Sequence, residues 1–313
     1  MSYSRLLDKA DLLYFKTSRN YQEFIDGMAI GANIPLSDAK ILNAMETYGS
    51  LIGQPFTRCA FAYAGINSTY SGSSIIGRNY DYPEPFNIIS KNLVITVINA
   101  ESKIPVATIA MAGQIYCPSC LNKDGIFIEL NNGSPSGGSA NVSTNKTMLV
   151  SMLEALQNNR SLVNVAAELE KEQSDYSLIV NLADATKMIS IEFSANIALG
   201  SKWKSLSVEN YAVTNYYLIS SWGNLIPKPT DEITWRGVTR KTNLDNLLSP
   251  YFSRNLSIDN FKTMMSYNIN DGGAVWDFTI YQIVYDTANK EIYIKQNNYI
   301  NQWQKFTFAQ IFN

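Results

Sequence analysis

Cys59 is the residue of this sequence with the clearest capacity for covalent chemistry. It opens an apolar, strand-like run, CAFAYAG, and it follows Arg58 and a leader of helical pattern. The sequence contains no histidine, which excludes Ser-His-Asp triads, Cys-His dyads and histidine-ligated metal sites. A catalytic Cys59 therefore needs a base of another kind.

The base that such a cysteine can use is its own α-amino group, once the peptide bond before Cys59 has been cut. A free α-amine titrates at about 7.7–8.0 and a thiol at about 8.5, so both groups change charge close to neutral pH. Cleavage there would make residues 1–58 a propeptide. The alternative interpretation is that Cys59 is an ordinary core residue, which is the usual position of a lone cysteine in an apolar strand.

Cys117 and Cys120 form a second candidate site in the motif Cys-Pro-Ser-Cys. A thioredoxin-like motif would open a helix after a strand, whereas the sequence that follows, NKDGIFIEL, has the pattern of a turn and a strand. Two thiols are too few ligands for a structural zinc site, and Cys59 is the one remaining cysteine of the sequence. We therefore predict a structural disulfide or two loop thiols, with a CxxC oxidoreductase as an alternative function.

The elements that must position these residues change from helices to strands at Cys59. Leader residues 2–47 have helical periodicity, whereas strands predominate from Cys59 onward, with helices in pairs between them. This order fits an α+β layered sandwich better than a repeat of βαβ units. Beyond the first hairpin, the patterns predict helices at about 146–157, 161–172, 236–250 and 257–266, and strands at about 92–99, 106–113, 125–132, 176–183, 188–195, 210–217, 279–286, 290–296 and 304–312.

Composition excludes several classes of protein. The 313 residues carry a net charge of −2, which argues against a nucleic-acid partner, and 46% of them are hydrophobic, which excludes intrinsic disorder. No stretch approaches the roughly 18 apolar residues of a membrane span. Asp8 and Asp11 interrupt the apolar pattern of the N-terminus, so it is not a signal peptide. The compartment is left open: periplasmic or secreted if a signal was removed, and cytoplasmic otherwise.

Two motifs resemble those of a known family. GRNYDY (77–82), about twenty residues after a cysteine at a strand start, resembles the GRNxDW hairpin of the choloylglycine hydrolase and linear-amide C–N hydrolase superfamily, whose members are cysteine N-terminal nucleophile (Ntn) hydrolases. The leader segment FIDGMAIGANIPLSDAKILNAMETYG (24–49) is similar to the segment before the nucleophile in the acyl-CoA:6-aminopenicillanate acyltransferase branch, which is related to acid ceramidase and N-acylethanolamine acid amidase. The resemblance covers roughly residues 20–240.

The resemblance implies an α+β, four-layer αββα sandwich, with a helical propeptide at 1–58 and a catalytic domain at 59–313. It implies that Arg78 lies close to the thiol and that Asp81 contacts the amino group of the nucleophile. Two asparagines would form the oxyanion site, and an arginine opens a helix in the family pattern. The implied site residues are Cys59, Arg78, Asp81, Asn132, Asn215 and Arg236.

Two of these assignments have a close competitor. Asn131 and Asn132 both fit the strand-end pattern ELNNGS, and Asn132 is the better spaced from Gly125. Arg236 is the first choice in TWRGVTR and Arg240 is the reserve. The two arginines are four apart on the predicted helix and share a face, and only one of them is expected to enter the site.

The function implied is that of a self-cleaving cysteine hydrolase acting on linear amides, with no metal or organic cofactor. Its expected partner is a small-molecule N-acyl amide substrate. An acyltransferase of the same family is one alternative, and a non-catalytic binding protein is another. The acyl group, the amine, homo-oligomer formation and retention of the propeptide after cleavage are left open.

Overall fold

Two antiparallel β-sheets lie face to face at the centre of the computed structural model, which describes residues 3–51, 58–82, 90–138, 147–174, 176–196, 201–297 and 299–313. The first sheet has the strand order β10-β1-β2-β11-β12-β13, and the second contains β3 to β9 in sequence order. Each strand pairs with its neighbour in antiparallel orientation. The strands are β1 Ala60–Ala64, β2 Ile75–Asp81, β3 Leu93–Ile98, β4 Val106–Met111, β5 Ser119–Asn122, β6 Phe127–Asn132, β7 Leu178–Ala183, β8 Met188–Phe193, β9 Ser201–Ser207, β10 Tyr211–Val213, β11 Thr279–Asp286, β12 Glu291–Gln296 and β13 Ile300–Thr307.

Side chains of β1 alternate between the two faces of the first sheet, because successive residues of a strand point to opposite sides. Phe61 and Tyr63 belong to the core between the sheets, as does Cys59 immediately before the strand. The three alanines of β1 belong instead to the core under the outer helices, where their small size lets the helices approach the sheet closely.

Helices cover both outer faces of the pair of sheets. They are α1 Tyr3–Phe15, α2 Arg19–Ala32, α3 Leu36–Leu51, α4 Ser134–Gly137, α5 Met148–Asn158, α6 Leu162–Leu169, α7 Gly237–Leu248, α8 Ile258–Ser266 and α9 Phe308–Phe312. Helices α7 and α8 pack on the first sheet, and α5 and α6 pack on the second. The four layers confirm the αββα class that the sequence resemblance implies.

The leader helices dock onto the helical layer of the second sheet. Tyr21 and Ile25 of α2 share a hydrophobic core with α5 and α6. Asn43 of α3 donates a hydrogen bond from Nδ2 to the carbonyl oxygen of Gly113 at 3.0 Å and accepts one from the N–H of Ile115 at 2.9 Å. These two bonds attach α3 to the connection between β4 and β5.

The C-terminus differs from its predicted structure. The apolar pattern predicts a strand over 304–312, but β13 ends at Thr307 and the last residues form α9. The hydroxyl of Thr307 accepts a hydrogen bond from the N–H of Gln310, whose side chain in turn accepts one from the N–H of Thr307. This reciprocal capping starts a helix and overrides the strand-like pattern.

The predicted strand at 210–217 is shorter in the structure. β10 ends at Val213, because the next side chains bond outside the sheet: Thr214 donates to the carbonyl of Gly237 at 2.9 Å, and Asn215 turns towards β6. The structure also contains two strands that the patterns do not predict, β5 and β9.

Cys117 and Cys120 form a disulfide, which is one of the two outcomes predicted for this motif. Both residues are fully buried, and Cys120 lies in β5 rather than at the start of a helix. In the described parts of the chain, no helix is long and apolar enough to cross a lipid bilayer.

Replacing Asn43 with alanine should lower the free energy of unfolding by about 1–3 kcal/mol, because the buried N–H of Ile115 would lose its partner. Chemical denaturation measures the change. The control is Asn20→Ala at an exposed position of α2, which should change stability by less than about 0.5 kcal/mol. Equal losses in both variants would contradict a docking role for Asn43.

Candidate active site

The thiol of Cys59 is fully buried between the sheets at the start of β1. Its sulfur accepts a hydrogen bond from Nη2 of Arg78 at 3.4 Å. Burial raises the pKa of the thiol to about 11, and the positive charge of Arg78 opposes this only in part. In the uncut chain Cys59 is therefore a neutral thiol at pH 7.

Arg78 projects from β2 into the space between the sheets and is completely buried. It donates from Nη1 to the carbonyl oxygen of Leu130 at 2.9 Å and forms an ion pair with Glu129. Both partners belong to β6, so the guanidinium joins the second sheet to the sulfur of Cys59.

Glu129 is a member of this cluster that the sequence analysis missed. It lies inside the apolar strand GIFIEL, is fully buried, and also accepts a hydrogen bond from the side chain of Asn181. The available signal was its charge, since an acidic residue in a buried strand requires a partner. The sequence does not show that this partner is Arg78.

Asp81 lies at the end of β2, on the face of the first sheet that packs against helices. Its carboxylate accepts hydrogen bonds from the hydroxyl of Thr279 at 2.7 Å and from Nη1 of Arg240 at 2.8 Å. Its main-chain carbonyl accepts one from the N–H of Arg58 at 3.1 Å. Burial raises the pKa of Asp81 to about 6, whereas Arg240 and Thr279 favour its charged form.

Arg240 is the arginine of α7 that reaches this cluster, and it is fully buried. Besides Asp81, its Nη1 contacts the carbonyl oxygen of Arg58 at 2.8 Å, and its Nη2 donates to Oδ1 of Asn215 at 2.7 Å. The carbonyl of Arg58 belongs to the peptide bond that precedes Cys59. Arg240 thus holds the oxygen of the bond whose cleavage the sequence analysis proposes.

Arg236, the first choice of the sequence analysis, lies outside the cluster. It is exposed and has a left-handed main chain with φ of 61°. Because α7 begins only at Gly237, Arg236 and Arg240 do not share a helix face. The start of the helix depends on Asp231, whose carboxylate accepts a hydrogen bond from the N–H of Thr239 at 2.8 Å.

The two candidate asparagines of β6 contribute different groups. The side chain of Asn132 accepts a hydrogen bond from the N–H of Ser134 at 2.8 Å, and its main-chain carbonyl accepts one from Nδ2 of Asn215 at 3.0 Å. Asn131 donates from Nδ2 to the carbonyl oxygen of Val213 at 3.3 Å, across the two sheets. Asn132 therefore contacts Asn215 through its main-chain carbonyl, whereas the side-chain amide of Asn131 forms a hydrogen bond between the two sheets.

A carboxyl group from the leader is coupled electrostatically to Arg78 and Cys59. Glu46 of α3 is buried, and burial raises its pKa to about 7, although Arg78 and the hydroxyls of Tyr80 and Tyr116 favour its charged form. Its negative charge in turn contributes to the raised pKa of Cys59. The leader motif includes Glu46, but the motif alone does not show which of its side chains faces the strands.

The geometry suits acyl transfer. It combines a thiol, a guanidinium beside the sulfur, a carbonyl oxygen already held by a second guanidinium, and nearby asparagine amides. Within the described residues, no group of three or more acidic or cysteine side chains is arranged to hold a metal ion.

Solved structures of two kinds of amide hydrolase share this fold. An N-acylethanolamine-hydrolyzing acid amidase ortholog from Caenorhabditis elegans aligns over 80% of this chain and 99% of its own length, with a TM-score of 0.51 and 11% identity. Two variants of a conjugated bile acid hydrolase from Clostridium perfringens align over 81% and 80% of this chain and 93% of their own, with TM-scores of 0.51 and 0.54 and 12% identity. No protein-family model matches the sequence, and no curated protein matches it significantly. The likeness confirms the Ntn-hydrolase fold that the sequence motifs imply.

Replacing Glu46 with glutamine should change how stability depends on pH. The folded chain keeps a proton on Glu46 up to about pH 7, whereas the unfolded chain releases it near pH 4.5, so the folded state loses stability as the pH rises between these values. Glutamine does not titrate. Between pH 5 and pH 8 the variant should therefore gain on the order of 2 kcal/mol relative to the wild type, measured by chemical denaturation.

The control for this measurement is Glu23→Gln, which removes an exposed carboxylate of α2. Its stability should follow the wild-type pH dependence. A difference between Glu46→Gln and the wild type that stays constant from pH 5 to pH 8 would show that Glu46 titrates as an ordinary surface group.

Proposed function

We propose that this chain is a self-processing cysteine amidohydrolase that cleaves linear, non-peptide C–N bonds of an N-acylated small molecule or lipid. The observation that carries the proposal is the contact of Arg240 with the carbonyl oxygen of Arg58 at 2.8 Å, immediately before the buried Cys59. A guanidinium in that position stabilises the negative charge that the oxygen acquires when a nucleophile attacks the carbonyl carbon. The names of the structural neighbours, an N-acylethanolamine-hydrolyzing amidase and a conjugated bile acid hydrolase, support an amide substrate.

In the first reaction the sulfur of Cys59 attacks the carbonyl carbon of Arg58. The C–S bond forms as the C–N bond breaks, and the thiol proton moves to the departing nitrogen, which leaves a thioester and a free α-amine. Water then hydrolyses the thioester to give the carboxylate of Arg58 and restore the thiol. Residues 1–58 become the propeptide, and residues 59–313 become the catalytic chain.

The new α-amine supplies a base next to the thiol. With an ordinary pKa of about 7.7–8.0 it can accept the thiol proton near neutral pH. Arg78 beside the sulfur stabilises the thiolate. Asp81, whose carboxylate shares Arg240 with the carbonyl of Arg58, would stabilise the protonated amine.

The thiolate then attacks the carbonyl carbon of the substrate amide. The side-chain amides of Asn131 and Asn215 supply donors for the oxyanion, and Asn132 orients Asn215 through its main-chain carbonyl. The α-amine returns the proton to the leaving nitrogen, and water resolves the acyl-enzyme. An acyltransferase would pass the acyl group to an added amine instead, so product ratios with and without that amine distinguish the two reactions.

The buried charges support an enzyme over a non-catalytic binding protein. The pairs Arg78–Glu129 and Asp81–Arg240 have no solvent exposure. Apolar residues of similar volume commonly stabilise a fold as well as such pairs do. Two pairs around one cysteine are therefore better explained by chemistry than by packing.

Purified wild-type protein should yield fragments of 58 and 255 residues, whereas Cys59→Ala should keep the full mass of 35.0 kDa. Arg240→Gln should slow cleavage by about 100- to 1,000-fold, because it removes the charge that stabilises the oxyanion. Intact mass followed over time at mildly acidic and neutral pH measures both effects.

Arg236→Gln is the matched control, since it removes an exposed arginine only four residues earlier. It should be cleaved at the wild-type rate. A wild-type chain that stays uncut under every condition, or equal slowing by the two arginine substitutions, would refute the proposal.

A further inference from the structure

Three aromatic rings surround the guanidinium of Arg58, the residue before Cys59. Its Cζ atom lies 4.7 Å from the ring centroid of Trp276, 5.0 Å from that of Phe278 and 5.7 Å from that of Trp235. We call these three rings the aromatic cage. Cation–π attraction operates when a cation lies within about 6 Å of a ring centroid, so each of the three rings attracts this guanidinium.

The cage holds a cation at a place that otherwise disfavours positive charge. Burial lowers the pKa of Arg58, and the neighbouring charge of Arg240 lowers it further, while Asp81 opposes both. The Nε atom of Arg58 is buried and has no hydrogen-bond acceptor among the described residues. The rings therefore add an attraction that favours a charged side chain at this position.

All three heavy-atom groups on the Cα atom of Arg58 are held in the uncut chain. The main-chain N–H donates to the carbonyl oxygen of Asp81 at 3.1 Å, and the carbonyl oxygen of Arg58 accepts a hydrogen bond from Nη1 of Arg240 at 2.8 Å. The side chain ends in the cage. Two main-chain bonds alone would leave the residue free to rotate about the axis that joins them. The side chain in the cage restricts that rotation.

The cage also keeps a fixed relation to the guanidinium that holds the carbonyl oxygen. The ring of Trp276 contacts both guanidinium groups, since its centroid lies 4.7 Å from Cζ of Arg58 and 5.2 Å from Cζ of Arg240. Trp235 lies in the turn that leads into α7, the helix that carries Arg240. The side chain and the carbonyl oxygen of Arg58 are therefore held by neighbouring parts of the fold.

A fixed orientation of Arg58 matters for the cleavage proposed above. The sulfur of Cys59 has to approach the carbonyl carbon of Arg58 along one direction, and such a reaction is fast only while the reacting atoms keep that alignment. A residue that rotates about its two main-chain bonds would spend less time in the aligned orientation. A contact that restricts the rotation raises the rate without touching the reacting atoms.

We propose that the aromatic cage is a specificity site for self-cleavage, which binds a cationic side chain at position 58 and thereby aligns the peptide bond that Cys59 attacks. Arg58 is then a positioning residue on the acyl side of the cleaved bond, and the ligand of the cage is the leader of the uncut chain. The proposal rests on the proposed function, because it concerns the rate of the same cleavage.

The test measures the rate of cleavage in full-length chains labelled by a short pulse of radioactive methionine during cell-free translation. Arg58→Met keeps an unbranched side chain that packs against the rings but carries no charge, and it should be cleaved about 10-fold more slowly than the wild type. Arg58→Lys keeps a cation and should recover most of the rate, to within about threefold of the wild type. Intact mass verifies that each chain is cut after residue 58.

Substitutions of the rings test the same contact from the other side. Phe278→Leu and Trp235→Leu should each slow cleavage of the wild type by about threefold, because each removes one ring from the guanidinium. The same two substitutions should add little slowing in Arg58→Met, where no cation remains to be lost. Trp276 stays unchanged in these variants, since its ring also contacts Arg240.

The control is Phe252→Leu, which removes a ring that is 72% exposed and lies outside the cage. It should be cleaved at the wild-type rate. Circular dichroism of the purified variants verifies that each one is folded. The substitutions of Arg58 and those of the rings are independent sets, so one set gives the comparison if a member of the other does not fold.

The outcomes separate the two proposals. A wild-type chain that is cleaved no faster than Arg58→Met would overturn the cage proposal and leave the proposed function intact. The cage proposal would also be overturned if Arg58→Lys were as slow as Arg58→Met, or if loss of a ring slowed the wild type and Arg58→Met equally. A wild-type chain that stays uncut under every condition would instead overturn the proposed function.

Discussion

Two buried ion pairs on opposite faces of one strand determine how this protein is arranged. β2 presents Arg78 to the space between the sheets, where it meets Glu129, and Asp81 to the helix-covered face, where it meets Arg240. Charges buried this deeply are stable only when their partners are correctly placed. The second sheet and α7 must therefore both be in position around β2. Cys59 lies at the end of the neighbouring strand, where it contacts one pair through its sulfur and the other through its main chain.

The uncut chain holds Cys59 as a protonated thiol while the charges around it are already in place. Burial keeps the pKa of Cys59 at about 11 and that of Glu46 at about 7. The two guanidinium groups, in contrast, are fixed at the atoms that would carry negative charge in the proposed cleavage: Arg78 at the sulfur and Arg240 at the carbonyl oxygen. The proposed cleavage would thus add a proton acceptor, the α-amine of Cys59, while the guanidinium groups of Arg78 and Arg240 keep their positions.

Sequence reasoning succeeds here where the relevant contacts are local and fails where they are distant. Arg78 and Asp81 lie on a hairpin with Cys59, and the apolar runs on either side of a polar turn predict both strands. Glu129 meets Arg78 across two sheets, and nothing in the apolar run around it shows which charge will face it. The choice of Arg240 over Arg236 depends on a turn that delays the start of α7 by one residue. At the C-terminus, the capping residues of α9 are visible in the sequence, but the apolar pattern around them favours a strand.

The position of α2 has a consequence for the protein after cleavage. Tyr21 and Ile25 are part of the same hydrophobic core as α5 and α6, so the leader is built into the domain. Cutting the chain after Arg58 would turn one folding unit into a complex of two polypeptides that share a core. The stability of that complex would depend on protein concentration, as for any association, whereas that of the uncut chain does not. The uncut chain would fold as one molecule. A cleaved molecule that unfolds would refold only after its two polypeptides meet again by diffusion.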